Sequence, residues 1–316
     1  MVVAQSEGEE LRIHCPNPGR LREILRPGRE LLLERAPAGA ARRTSWTLAA
    51  AVYRSRIIPL ISSRANAVVG DLVLPRRYPG LDCVPEQTRG RSRFDWLVRR
   101  DDRPVWIEVK ACTLVEHGRA MFPDAPSVRA VKHLEELGAL PPDHLGEVIV
   151  VVFNPEARLF SPNPHTDPDF CRAFEFARQS GVRFRAVSVN ADAEGFVRIV
   201  DEDLPIDSST VELAAADRGI AISVLKRAGT ERYTVAVEAV HADLAGFLRR
   251  TARRNEILEV LPVRGDPEVL KDASRRWFRD LEDSETDPRL ESPFLEGLLT
   301  LRHREAFPGF TRTRPV

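Results

Sequence analysis

The sequence predicts an α/β protein, α+β taken as a whole, in three parts: a small N-terminal β-barrel, an αβ sandwich and a small α+β extension. Three observations predict it. Residues 1–75 break into about five short strand-like runs divided by turn residues, the pattern of a small barrel. Residues 76–209 alternate strands with helical periodicity and include the almost wholly apolar run Glu147–Phe153, which reads as a central strand covered on both faces. Residues 210–316 open, after the linker Asp201–Ser209, on a hairpin and close on two helical stretches. At 316 residues the chain exceeds the usual single-domain size, so more than one domain is expected.

Composition removes several function classes. An apolar fraction of 43% is ample for packed cores, while no apolar run approaches a membrane span. The first ten residues, M-V-V-A-Q-S-E-G-E-E, lack a basic segment followed by an apolar one, so a cytoplasmic protein with no membrane partner is expected. Cys15, Cys83, Cys112 and Cys171 are widely spaced, as for reduced thiols, and the seven histidines show no metal-ligand spacing. Net charge is zero, so nucleic-acid binding gains no global support. Of the 47 basic residues only Lys110, Lys132, Lys226 and Lys271 are lysines.

Taken in order, Leu11–His14 alternates and Pro16-Asn-Pro-Gly19 is a strong turn. Strands follow at Glu30–Arg35, Thr44–Tyr53 and Arg56–Ser62, giving a barrel of the OB type. Arg20, Arg22, Arg26, Arg42 and Arg43 lie in its loops, either gripping a nucleic-acid strand or simply solvated. Asn66–Pro79 reads as a short helix and connector. Next come two strands, Phe94–Val98 and Val105–Ala111, joined by a tight charged turn. Ser127 is placed to cap a helix reaching Leu137, whose apolar stripe is Val128, Val131, Leu134 and Leu137; Arg129, Lys132 and His133 fall off that stripe. Helix Asp167–Gln179 and strand Val182–Val189 complete the sandwich. In the extension, Gly219–Leu225 and Arg232–Val240 form a hairpin turning near Gly229, and helices are predicted over Ala242–Val260 and Pro267–Leu281. Their arginines (Arg249, Arg250, Arg253, Arg254, Arg275, Arg276 and Arg279) fit a phosphate-contacting module, an element that makes a homodimer, or a solvated helix pair.

The chemistry concentrates in the hairpin. Glu108 and Lys110, two apart on one strand, point to the same side, and the hairpin brings Asp95 opposite them. Two carboxylates held close repel, and a cation is the common reason for keeping them together. The spacing D-x(12)-E-x-K is the core of the PD-(D/E)XK nuclease hairpin. A hard cation such as Mg²⁺ or Mn²⁺ takes oxygen ligands, so Asp95, Glu108 and the Val109 carbonyl are suitable. Lys110 would orient or deprotonate a water, or neutralise charge growing on the phosphorane. The bare pattern is weak and equally describes cross-strand charge pairs on an exposed hairpin. Its setting inside Val105-Trp-Ile-Glu-Val-Lys-Ala111 shifts the weight, because charged groups interrupt a strand that otherwise reads as core.

The segments His14-Cys-Pro-Asn-Pro-Gly-Arg20, Ser92-Arg-Phe-Asp95, Trp106-Ile-Glu-Val-Lys110, Thr113-Leu-Val-Glu116, Phe122-Pro-Asp-Ala125 and Lys132-His-Leu-Glu-Glu-Leu137 together resemble the sugar fermentation stimulation protein A family. The resemblance covers roughly residues 2–207 and implies an OB-like domain over 1–75, a PD-(D/E)XK nuclease-like domain over 76–209 and an unassigned extension over 210–316. It implies Asp95, Glu108 and Lys110 as the catalytic set, Glu86 as an extra acidic metal ligand, and Arg20, Arg93, Arg129, Lys132 and His133 as nucleic-acid contacts. Glu116 and Asp124 also match, either near a second metal or holding the loop. Two departures stand out: Pro18 replaces the usual threonine of the N-terminal turn, and Ala130 replaces a usual glycine. The expectation is therefore a Mg²⁺- or Mn²⁺-dependent DNA/RNA nuclease. Its rival is a DNA-binding transcriptional regulator that keeps the fold without the chemistry, and a third class is an adaptor whose arginine-rich extension binds a protein.

Overall fold

The structure, a computed structural model, describes residues 1–6, 8–36, 44–100, 103–211, 218–240, 255–281, 283–290 and 292–306. The chain forms two compact units, one of residues 1–163 and 169–208, the other of residues 164–168 and 209–316. Among the described residues no helix is long and apolar enough to cross a membrane.

In the first unit, β1 (Val2–Ser6), β2 (Glu9–His14), β3 (Leu31–Arg35), β4 (Trp46–Tyr53) and β5 (Arg56–Pro59) come first. They pair in the order β1-β2-β4-β5, with β3 on β4, around a core of Ile13, Leu21, Ile24, Leu48, Ala51, Tyr53, Ile58 and Leu60. No pairing among the described residues closes these strands into a barrel. Of the loop arginines, Arg42 and Arg43 lie outside the described residues.

A helical segment follows: α1 (Arg64–Val68), a π-helical turn (Val69–Val73) and α2 (Leu74–Arg77). Beyond it, β6 (Asp82–Arg89), β7 (Ser92–Arg99) and β8 (Val105–Cys112) are antiparallel, and β8 then runs parallel to β11 (Leu145–Val152), which runs parallel to β13 (Arg183–Ala191). The short β9 (Val115–Glu116) and β10 (Arg119–Phe122) pair with each other, and β12 (Leu159–Pro162) joins β10. Helix α3 (Val128–Gly138) packs on the sheet, α4 (Pro168–Gln179) lies between β12 and β13, and β14 (Val197–Asp201) pairs with β13. A single pair, Ala191 with Ile57, connects β13 to β5, so both sets of strands belong to one sheet. As its composition predicts, β11 is central, with Val148–Val152 fully buried.

Two sequence expectations change here. Ser127 does cap α3, its Oγ accepting the Ala130 N–H at 3.2 Å. The buried side of that helix, however, is Ala130, His133, Leu134 and Leu137, while Val128 is 86% exposed. Reading only apolar residues put Val128 inside and His133 outside; burial follows the helical angle, and the imidazole sits one turn from both Ala130 and Leu137.

The second unit contains β15 (Gly219–Arg227) and β16 (Tyr233–Val240), the expected hairpin with Gly229 at positive φ, and β17 (Asn255–Arg264) on the other edge of β15. A helix over Ala242–Val260 is therefore corrected in its last part: residues 255–260 pair with β15, and 241–254, with Arg249, Arg250, Arg253 and Arg254, lie outside the described residues. The run Ile257-Leu-Glu-Val-Leu261 satisfies either periodicity, and pairing along the whole of β15 decides for the strand. Helix α5 (Pro267–Phe278) is capped by Asp266, whose Oδ1 accepts the Glu268 N–H, and α6 (Ser292–Thr300) closes the unit over Phe278 and Phe294.

At the start of β11, Glu147 is completely buried. Its carboxylate accepts a hydrogen bond from the Tyr78 hydroxyl and one from Arg185 Nε at 2.7 Å, with Arg183 at 3.7 Å. Burial and the neighbouring Glu147 charge push the Tyr78 hydroxyl far up, so it stays a donor. This cluster pins α2, and with it α1, to the sheet. Glu147→Ala should cost about 3 kcal/mol or more, because it strands buried polar partners; urea denaturation of the two proteins measures it.

Candidate active site

Strands β7 and β8 pair at Val98–Val105, Leu97–Trp106 and Trp96–Ile107, and the recorded ladder goes no further. At Asp95 the side chain takes over from the backbone. Its Oδ2 accepts the Val109 N–H at 2.7 Å, and its Oδ1 accepts from Asn66 Nδ2 of α1 at 2.7 Å. The helical segment comes close because Gly70 sits against the Trp96 ring, where an added Cβ would meet ring carbons at 2.7 Å. A glycine at that point lets α1 present Asn66 to Asp95.

On the α3 side of β8, Glu108 and Lys110 share a face, as the strand period requires. Glu108 is buried, and its Oε1 lies 2.5 Å from Lys110 Nζ and 2.5 Å from His133 Nδ1. The imidazole also packs on Phe94 at a ring separation of 5.8 Å, which fixes its tilt. The other carboxylate oxygen, Glu108 Oε2, is buried with no hydrogen-bond partner.

The two carboxyls titrate in opposite directions. Burial and the nearby Glu108 charge raise Asp95, only partly offset by the Val109 N–H and Asn66. Burial opposes charge on Glu108 as well, but the contacts with His133 and Lys110 outweigh it and hold this carboxyl below its ordinary range. One carboxylate is thus firmly ionised beside a second that resists ionisation. That is the signature of two acids sharing a volume with too little positive charge.

Other sequence-predicted residues fall around this centre or away from it. Glu86 is exposed at φ 52°, with its carboxylate 3.4 Å from Arg93, and it does not gather with Asp95 and Glu108. Among the described residues no three His, Cys, Asp or Glu side chains form a metal-binding group. The β6–β7 register runs unshifted from Asp82–Arg99 to Arg89–Ser92, so Glu86 falls opposite Asp95 along the strands while its carboxylate turns out to Arg93. Lys132 donates to the Arg91 carbonyl at 2.9 Å and lies 3.5 Å from Glu136, so it fastens the β6–β7 turn to α3. Arg93 and Arg129 are exposed. Arg20 is exposed on the N-terminal turn, just before Leu21, whose N–H is accepted by Asp124 Oδ2 at 2.7 Å. Asp124 therefore holds that turn, and Gly19 is required there because a Cβ would meet the same Oδ2 at 2.9 Å. Cys112 is buried, and burial raises its thiol.

A hard cation fits the donors present. Two carboxylates, one carrying a buried oxygen without a partner, are oxygen ligands of the type Mg²⁺ takes, and that ion usually keeps several waters beside one or two carboxylates. Sequence reasoning missed Asn66 entirely and misplaced His133. The only advance signal for Asn66 was its place in a short helix just before the hairpin.

Comparison with known proteins identifies both parts of the first unit. A family model described as the sugar fermentation stimulation protein RE domain matches residues 63–195, and one described as the SfsA N-terminal OB domain matches residues 1–60. A sugar fermentation stimulation protein homolog of Carboxydothermus hydrogenoformans is 37% identical over 194 residues, 60% of this chain and 84% of that protein. One from Thermotoga petrophila is 36% identical over 192 residues, 61% of this chain and 84% of the relative. Among solved structures, SfsA of Pyrococcus furiosus in complex with Ca²⁺ superposes with a TM-score of 0.58 at 25% identity, covering 65% of this chain and 89% of that one.

The opposed titrations set a pH dependence in the metal-free protein. Glu108, lowered, contributes stability that is complete above the ordinary carboxyl range and lost as pH falls through its depressed folded value. Asp95, raised, contributes stability below its ordinary value that is lost as pH rises through its elevated folded value. Melting curves across the weakly acidic range should therefore show the metal-free wild type losing stability relative to Asp95→Asn as pH rises. Parallel curves would contradict the assignment.

Proposed function

Because the chain belongs to the sugar fermentation stimulation protein family, we propose that it is a nuclease hydrolysing phosphodiester bonds of DNA or RNA at Asp95, Glu108 and Lys110, with Mg²⁺ or Mn²⁺ as cofactor. The observation that carries the reading is the buried, unpartnered Glu108 Oε2 beside a second carboxylate that resists ionisation. Asp95 and Glu108 would hold the cation, and the Ca²⁺ complex of the Pyrococcus furiosus relative supports a hard divalent ion in this family. When bound, such an ion supplies Lewis-acid polarisation of the scissile phosphate and a more acidic water.

The remaining steps fall to the chain itself. Lys110, whose ammonium lies 2.5 Å from Glu108 in this structure, can orient the attacking water or stabilise negative charge on the phosphorane, and can take the water's proton only after giving up its own. His133 and Phe94 keep the Glu108 carboxylate in place from the α3 side. Exposed Arg93 and Arg129 would take the flanking phosphates, which position a strand without reading its sequence. The zero net charge leaves such contacts local. In a regulator that only binds DNA, paired carboxylates would repel phosphate and serve nothing.

The test is cleavage of single- and double-stranded DNA and RNA with Mg²⁺ or Mn²⁺. Wild type should cut, and Lys110→Ala and Asp95→Ala should each lose roughly 10²–10⁴-fold in rate. Undiminished cutting by both variants would refute the site, and binding without cutting under every condition would identify the regulator. Arg129→Ala should weaken binding equally across sequences and reduce the salt slope of affinity by about 1, as read by fluorescence anisotropy.

A further inference from the structure

Asn66 does two things at once. Its Nδ2 donates to Asp95 Oδ1 at 2.7 Å, and its own Oδ1 is buried with no hydrogen-bond partner. An unpartnered buried carbonyl oxygen costs about 1–3 kcal/mol, and native proteins seldom keep one without a use. A second such oxygen, Glu108 Oε2, belongs to the residue beside Val109, whose N–H Asp95 accepts at 2.7 Å. Two orphaned hard oxygens, one on a side chain that bonds Asp95 and the other on the residue next to Val109, its second partner, are more than a packing accident.

We propose that Asn66 is a neutral oxygen ligand of the divalent cation, completing the set begun by Asp95 and Glu108; this rests on the metal-dependent reading above. The charge balance favours a neutral third donor. Asp95 and Glu108 already bring two mutually repelling carboxylates into a site that holds one ammonium. A third carboxylate would deepen that repulsion whenever the ion is absent. An amide adds an oxygen at no cost in charge, and its N–H₂ group steadies Asp95 through the same side chain. The structure also explains why a short helix can deliver it: Gly70 lets the segment close on Trp96.

The measurement is isothermal titration with Mn²⁺ alone on the full-length protein, comparing wild type, Asn66→Ala and Asn66→Asp, with melting curves taken with and without Mn²⁺. Asn66→Ala should bind Mn²⁺ roughly 10-fold or more weakly, the scale seen when support around a metal is removed. Asn66→Asp should lower the metal-free melting temperature, because its carboxylate faces Asp95. It should also bind Mn²⁺ more tightly than wild type, since it places a charged oxygen where the amide oxygen was. If Asn66 only positions Asp95, Asn66→Asp will bind more weakly than wild type, which overturns the ligand role. Wild-type affinity in both variants overturns it as well. Failure of wild type itself to bind Mn²⁺ would instead bring down the metal-dependent reading and this inference with it. Should Asn66→Ala not fold, the direction of change in Asn66→Asp still decides.

Discussion

Everything at the centre of the first unit follows from putting two carboxylates into a place where water cannot screen them. An ionised carboxylate leaving water loses several kcal/mol of solvation unless positive charge or hydrogen bonds replace it. Glu108 receives both, from Lys110 and His133. Asp95 receives two neutral donors, the Val109 N–H and Asn66, and these do not fully offset burial and its neighbour. The site is thus asymmetric: one acid is satisfied in its charged state and the other is held short of it. Each remaining feature either maintains that asymmetry or is arranged around it.

The fold maintains it by a few close contacts. The recorded β7–β8 ladder ends at Trp96–Ile107, and the Asp95 side chain takes the Val109 N–H that a longer ladder would use. The departure of β7 also carries Phe94 onto the α3 side, where it packs against His133 and Trp106. On the opposite face, Glu147 holds Tyr78 and Arg185 and so anchors the helical segment that carries Asn66. Anchoring far from the chemistry matters because a 1 Å error in placing a ligand is felt strongly at a reacting centre.

How much of this could be read in the residues divides along the range of the interactions. The strand Val105–Cys112 was legible, since Glu108 and Lys110 interrupt an apolar run and the period of two places them together. The cap at Ser127 and the hairpin around Gly229 were legible for the same local reason. His133 was not, because polarity suggested the solvent side, while its actual environment is set by Glu108, 25 positions away in the chain. Asn66 meets Asp95 across a separation of 29 residues, and no local rule relates them. Glu86, the acid expected beside the hairpin, does fall opposite Asp95 in register, but its exposed carboxylate pairs with Arg93, a side-chain choice that no local rule sets. In the second unit, Asn255–Arg264 became a strand because β15 offered a complete edge, a long-range fact that the short-range pattern did not contain.

The position of Lys110 sharpens what any chemistry at this centre demands. Its ammonium is only 11% exposed and bonded to Glu108 Oε1, the oxygen that His133 also approaches. An ammonium has three donors but one charge, so full engagement with Glu108 weakens what it can offer to a water or a phosphate oxygen. His133 relieves this conflict. With the imidazole already on Oε1, Glu108 keeps a partner even if Lys110 turns toward a substrate, and the carboxylate is not stranded. A strand position alone would give E-x-K two charges that mostly neutralise each other; the buried histidine from α3 would free the lysine for the proposed chemistry. On this argument the helix after the hairpin contributes to the centre through its inward face, where His133 meets Glu108, while Arg129 stays exposed on its outer side.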